Sequence, residues 1–314
     1  MLLALFSDNS QSLPFLRETF SVPLPKQILL LLLVGVALWF TIQWVLALRR
    51  SGDARWPSPY LLIVGFITDF LDTLGVGSFA TTTTLFRFGN SVEDSKIPGS
   101  LNVGHTLPTI LQALIYISVI EIDLWTLWLL IGASVIGAYL GAAFVTRLPK
   151  RAIQIGMGSA LLVAVAFILA MLLGAIPAGG ESLGLSGVSL AIGLVGNFAF
   201  GALMTIGVGA YAPIMIMVSL LGMNQKAAFP LMMGSCAFLM PVASYRFVKS
   251  GKYDARAALG LTLLGLPGVA LAAWVVKEMS TTALNWMVVI VVIYTALSML
   301  YAATQQADGN ANGQ

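Results

Sequence analysis

The sequence predicts an all-α polytopic membrane protein: one leading transmembrane helix, then two inverted repeats, each a broken re-entrant hairpin and three transmembrane helices. Three observations predict it. Of 314 residues, 58% are hydrophobic and only 9% charged; a soluble domain carries about 25% charged residues, so lipid has to cover most of this surface. Apolar runs of spanning length, about 20 residues, recur along the chain. The pattern also repeats at a near-constant offset, with paired glycines at corresponding places.

The elements follow in order. Residues 1–26 are expected to form an N-terminal region that does not read as a signal peptide: Met1 to Phe6 is too short an apolar core, and Asp8 follows with no basic segment before it. Segment 27–48 is the leading helix. Segment 58–88 is long but interrupted at Gly75-Val76-Gly77-Ser78, and three uninterrupted segments follow at 101–120, 124–146 and 152–174. Segment 187–219 is interrupted at Gly207-Val208-Gly209-Ala210 and precedes 227–247, 255–276 and 282–303. Paired glycines in an apolar helix are poor helix formers and mark an unwound point. The polar tail 304–314 is expected to be disordered.

A shift of 132 residues lays Thr73-Leu74-Gly75-Val76-Gly77 on Thr205-Ile206-Gly207-Val208-Gly209. A shift of 131 lays Asp123 on Asp254, Gly137 on Gly268 and Leu140 on Leu271; at 130, Lys96 falls on Lys226 and Gly104 on Gly234. The repeats therefore span 57–174 and 187–303. Such duplication is the commonest sequence sign of a secondary transporter.

Segments 49–57, 87–100, 147–151 and 246–256 hold twelve of the sixteen Lys and Arg residues and should be cytoplasmic. Three apolar segments separate the first of these loops from 147–151, and three full crossings would put the two on opposite sides. A re-entrant hairpin at 58–88 restores parity. The same argument makes 187–219 a hairpin from the other side, with the N-terminus outside and the C-terminus cytoplasmic. The competing arrangement is nine full crossings with parallel repeats.

The net charge of +3 comes from these loops, so lipid rather than nucleic acid explains it. One cysteine, Cys236, and one histidine, His105, exclude an intramolecular disulfide, a cysteine metal cluster and any two-histidine metal site. No cofactor is expected.

The stretches Asp72-Thr73-Leu74-Gly75-Val76-Gly77-Ser78-Phe79, Pro98-Gly99-Ser100-Leu101-Asn102-Val103-Gly104-His105 and Ala228-Phe229-Pro230-Leu231-Met232-Met233-Gly234-Ser235-Cys236 resemble the TauE/SafE family, also called the four-toluene sulfonate uptake permease family. The resemblance runs over about 58–303. It implies transport of sulfite, sulfonates or related small organic anions, commonly outward, in the bacterial inner membrane. Ser78 and Ala210 stand where many members carry a third glycine, and the Asp72-Thr73-Leu74 lead-in looks like that of a distinct subgroup.

The candidate substrate site lies at the two breaks. Backbone N–H groups at the start of each second half-helix, with the helix dipole, favour an anion. This singles out Gly75, Val76, Gly77, Ser78, Phe79 and Thr81 in the first repeat and Gly207, Val208, Gly209, Ala210 and Tyr211 in the second. Close helix packing is the structural alternative for the glycines. The hydroxyls of Thr81 to Thr84 either assist the anion or bond back to their own helix. Asn102, His105, Thr109, Gln112 and Tyr116 recur at helical spacing as a polar stripe that lines a pathway or bonds to a neighbouring helix. Asp72 and Asp69 are intramembrane carboxylates and candidates for proton coupling, Asp72 the stronger; its alternative is to cap the second half-helix. Lys96 and Lys226 either attract anions at opposite mouths or snorkel. Two other classes compete with transport: a non-transporting receptor or assembly factor, and an intramembrane enzyme built on Ser78 and His105. The second lacks the Gly-x-Ser-Gly pattern, since Phe79 follows Ser78.

Overall fold

The computed structural model describes residues 23–51, 55–145, 150–173, 180–204, 211–278 and 280, and then 283, 286–287, 289–290, 292–294, 296–298, 300–301 and 303–304. The helices are α1 (Leu24–Ser51), α2 (Pro59–Thr73), α3 (Ser78–Phe88), α4 (Ile97–Val119), α5 (Leu124–Val145), α6 (Lys150–Leu172), α7 (Gly187–Met204), α8 (Tyr211–Leu220), α9 (Gln225–Ser250) and α10 (Ala255–Glu278). The described residues between 283 and 304 are helical too, and no strand forms among the described residues. Leu24–Arg50, Gly187–Met204, Lys226–Ser250 and Ala255–Val275 are long and apolar enough to cross a membrane. Large apolar side chains such as Trp125, Tyr139, Leu140 and Trp274 are exposed, as a lipid-facing surface requires. The protein is an all-α, multi-pass membrane protein.

The first broken element doubles back. Ser58 caps α2 by accepting from the Leu61 N–H, and Pro59 presets its first turn. Gly75 at φ 94° ends the helix. The Gly75 N–H donates to Asp72 O at 2.8 Å and the Val76 N–H to Leu71 O at 3.1 Å, the paired bonds of a left-handed glycine stop. Gly77, at φ 84°, then opens α3. At the far ends the Tyr60 hydroxyl donates to Leu85 O at 2.7 Å, and the Tyr60 ring covers Gly89. The start of α2 thus lies beside the end of α3, and the arms are antiparallel.

The described arms of the second broken element are antiparallel too. Gly196 of α7 packs on Met217 of α8. Ser182, just before α7, is bonded to Gly222 O at 3.3 Å and from the Asn224 N–H at 2.8 Å, just after α8. Asn90 and Gly222, 132 residues apart, follow the second arms with φ of 43° and 90°. The tip residues 205–210 lie outside the described residues.

Packing follows the repeat register. α2 packs most heavily on α10 and α7 on α5, so each hairpin lies against a helix of the other repeat. Gly268 of α10 lies under Phe66 O of α2, and Gly137 of α5 under Phe198 O of α7. Both pairs are related by the repeat shift. Asp123 caps α5 through the Thr126 N–H at 2.7 Å, and Asp254 caps α10 through the Ala257 N–H at 2.8 Å. The corresponding helices α4 and α9 pack on each other. Thr106 pairs with Ser244 at 2.7 Å, the Tyr116 ring with Phe229 at 5.0 Å, and Gly99 with the Lys252 backbone. Residue number rises along one helix as it falls along the other, so α4 and α9 are antiparallel.

This arrangement sorts the charges. Lys26 reaches Ser118 O at the C-terminal end of α4, and Leu48 packs with Val103 and Val248 at the other. Arg49, Arg50, Lys96, Lys249 and Lys252 therefore share the end at which the first hairpin opens. Lys26 and Lys226 lie at the opposite end, with the mouth of the second hairpin. α5 starts beside that second mouth, since the Asp123 N–H bonds Leu183 O at 2.8 Å. Its 22 residues, about 33 Å of helix, run toward the first end. Arg147 lies outside the described residues.

Candidate functional site

α2 and α4 run side by side, and the polar stripe of α4 faces the carboxylates of α2. His105 Nδ1 is 2.7 Å from Asp69 Oδ1, and both side chains are fully buried. His105 Nε2 is 3.0 Å from Thr82 Oγ1, so the single histidine joins both arms of the hairpin. With Nδ1–H donating to the carboxylate, a neutral ring leaves Nε2 to accept from the Thr82 hydroxyl. A doubly protonated ring reverses that bond. Asp69 Oδ2 has no partner among the described residues and lies against Gly265 of α10, where a Cβ would collide with it. The Phe79 ring lies 6.2 Å from the imidazole.

One turn further in, Gln112 Nε2 donates to Asp72 Oδ2 and to Thr73 Oγ1, each at 2.9 Å. Tyr116 donates to Thr73 O at 2.9 Å. Ser78, the first residue of α3, faces the Asp72 carboxylate with its hydroxyl and its backbone N–H. Asp72 therefore sits at the start of the second half-helix, the capping position, and is tied to α4 as well. Thr109 Oγ1 and Gln112 Oε1 are buried without a partner among the described residues. A buried carboxylate is costly unless paired; here two are held within one turn of α2.

The backbone at the break is open on one side. A Cβ at Gly77 would meet nothing within 4 Å, whereas one at Gly75 would stand 2.9 Å from the Met215 side chain of α8. The tip of the first hairpin thus touches the second arm of the other hairpin. Thr81 bonds back to Gly77 O and Ser78 O at 3.1 and 2.8 Å, and Thr83 to Phe79 O at 2.7 Å. Asn102 bonds Pro98 O of its own helix at 2.9 Å and stands outside the network. Tyr211 begins α8. Gly207, Val208, Gly209 and Ala210 lie outside the described residues.

Residues 19–168 match the family model described as sulfite exporter TauE/SafE. Over that stretch, a little under half of the chain, the sequence is similar to the TauE/SafE family. No curated protein and no solved structure matches the chain. The matched stretch contains α1 to α5, the first break, both carboxylates and His105. Sequence reasoning missed Gly265 and did not separate Thr82 from the other hydroxyls of Thr81 to Thr84. Thr82 sat in a run of four threonines with nothing to single it out, and Gly265 acts only through the residue it faces.

Proposed function

We propose that the protein is a secondary transporter, an exporter of a small anion such as sulfite, a sulfonate or a related organic anion, coupled to protons. The observation that carries this reading is the concentration of Asp69, Asp72 and His105 at the broken hairpin of a membrane protein. Intramembrane ionisable groups are functional by default. The anion lies between the two breaks, against Gly75 to Phe79 and Thr81 in one repeat and residues 207–211 in the other. The open backbone at Gly77 and the touch of Gly75 on Met215 support that position. The half-helix start favours negative charge, while ionised Asp72 at the same start opposes it. Anion binding is therefore linked to neutralising a carboxylate there, and this linkage couples the solute to the proton. Asp69, bonded to His105, is the exchanging group. Asp72, tied to Gln112 and facing Ser78, sets the charge at the helix start.

The two repeats cross the inner membrane in opposite senses, with the N-terminus outside and the C-terminus cytoplasmic. The antiparallel pairing of α4 with α9 and the clustering of basic residues at one end support this.

The test is sulfite flux in proteoliposomes under an imposed proton gradient. Gradient-driven flux in the wild type and its loss in Asp69→Asn is the expected result. Flux that ignores the gradient removes the coupling; no flux of sulfite, sulfonate or carboxylate removes the transport reading. The order Asp69–His105–Thr82 also matches a nucleophile relay of hydrolases. The same vesicles therefore serve an ester-hydrolysis control, and turnover there with no flux would favour the enzyme.

A further inference from the structure

The repeat register assigns every residue of the Asp69–His105 site a counterpart. Asp69 corresponds to Gly201, Asp72 to Met204, His105 to Ser235 and Gly265 to Ser134. The backbone correspondence holds in space: Gly265 faces Asp69, and Gly201 lies against the Ser134 backbone. By the repeat shift, Ser134 stands where Gly265 faces Asp69 in the first repeat, and Ser235 stands where His105 does, on α9, which packs against α5. Asn197 stands one turn before Gly201 on the same face of α7. All three side chains are buried, at 1%, 1% and 0% exposure. Ser134 Oγ, Ser235 Oγ and both polar atoms of the Asn197 amide lack a hydrogen-bond partner among the described residues. Buried polar groups are rarely left so; four such atoms on α5 and the two helices packed against it, α7 and α9, call for a partner that the described residues do not supply.

We propose that Ser134, Ser235 and Asn197 form a binding subsite for a small oxyanion, which adds neutral second-repeat donors to the solute site between the breaks, while the first repeat alone carries the proton. The chemistry selects an anion over a cation. α5, α7, α8 and α9 contain no Asp or Glu, so the repulsion that an anion meets beside Asp69 and Asp72 is absent here. Two hydroxyls and an amide NH2 supply four neutral donors. A metal cation in the membrane interior would find oxygen ligands but no negative charge. This assignment rests on the transport reading and extends the site one turn from the tip of the second hairpin.

Binding of sulfite, sulfate, methanesulfonate and acetate to the purified full-length protein, by radioligand or calorimetry, tests it, with melting temperature measured in parallel without anion. A hydrogen bond to a charged group corresponds to about tenfold to a hundredfold in affinity. Ser134→Ala, Ser235→Ala and Asn197→Ala should each weaken the best anion by that factor while leaving the melting temperature unchanged or raised, because each deletes an unpartnered polar group. Asn197→Asp, nearly isosteric, should abolish anion binding by adding a charge. Unchanged affinity in these variants overturns the subsite while transport stands. So does a lower melting temperature with unchanged affinity, the mark of structural water, or saturable binding of radioactive sodium that Asn197→Ala removes. If the wild type binds none of the four anions, the transport reading itself fails.

Discussion

A methyl group at residue 265 would fall on the free oxygen of Asp69, which gives a way to move that carboxylate without altering it. Gly265→Ala should shift Asp69 away from His105 and cut gradient-driven flux about tenfold, close to the effect of Asp69→Asn. Gly268→Ala, three residues on and against the Phe66 carbonyl, should instead lower stability, with flux per folded molecule retained. Proteoliposome flux normalised to folded protein distinguishes the two. Equal flux in Gly265→Ala and wild type would separate Asp69 from coupling. Asp72→Asn keeps an acceptor for Gln112, so we expect a smaller loss of coupling from it than from Asp69→Asn. The sequence ranks these carboxylates the other way, because Asp72 adjoins the break. The spacing of two aspartates says nothing of which meets a histidine 36 residues later. The stripe of His105, Gln112 and Tyr116 was legible, since helical periodicity puts those residues on one face whatever the neighbour. Asn102 shares the spacing, but its amide bonds its own helix, a choice periodicity does not show.

The hairpin is governed by two glycines with different tasks. Gly75 stops α2 in a left-handed conformation against Met215, and Gly77 opens α3 with free space where a side chain would stand. Gly77→Val should therefore abolish anion binding through backbone strain and a blocked approach, yet leave an inserted, folded protein. Binding to purified protein with a normal elution profile checks this, and retained affinity would move the anion away from the break. Tyr60→Phe removes the bond that joins the hairpin ends and should destabilise by about 1 kcal/mol, read as a lower melting temperature with affinity unchanged. The first break was legible because paired glycines interrupt an otherwise apolar run; the second, at residues 207–210, lies outside the described residues. Folding back was not legible from hydropathy: Gly187–Met204 is long enough to cross on its own. Only the loop charges argued for it, and the direct sign lies in long-range contacts such as Gly196 with Met217.

At the scale of the molecule, exchange of hairpins between repeats makes the topology testable at a few positions. Each hairpin is held most heavily against a helix of the other repeat, α2 on α10 and α7 on α5, so each half depends on the other to bury its hairpin. The antiparallel pairing of α4 and α9 then puts the two hairpin mouths at opposite ends. If those ends are the two membrane faces, Arg55, Arg151 and Lys252 share one face, whereas Glu121 and Ser182 share the other; all five are exposed. Single cysteines at these sites, in a Cys236→Ala background, should label accordingly. Cys236 is buried and contacts Met204, so its loss should leave the surface unaltered. With the basic face cytoplasmic, an impermeant maleimide added to intact cells should label the cysteines at 121 and 182 and leave those at 55, 151 and 252 unreacted until the membrane is opened. Residue 151 decides between the two arrangements. Parallel repeats with nine crossings put it outside, because 58–88 then counts as a crossing; a hairpin there keeps it inside. External labelling at 151 together with protection at 55 would overturn the inverted arrangement.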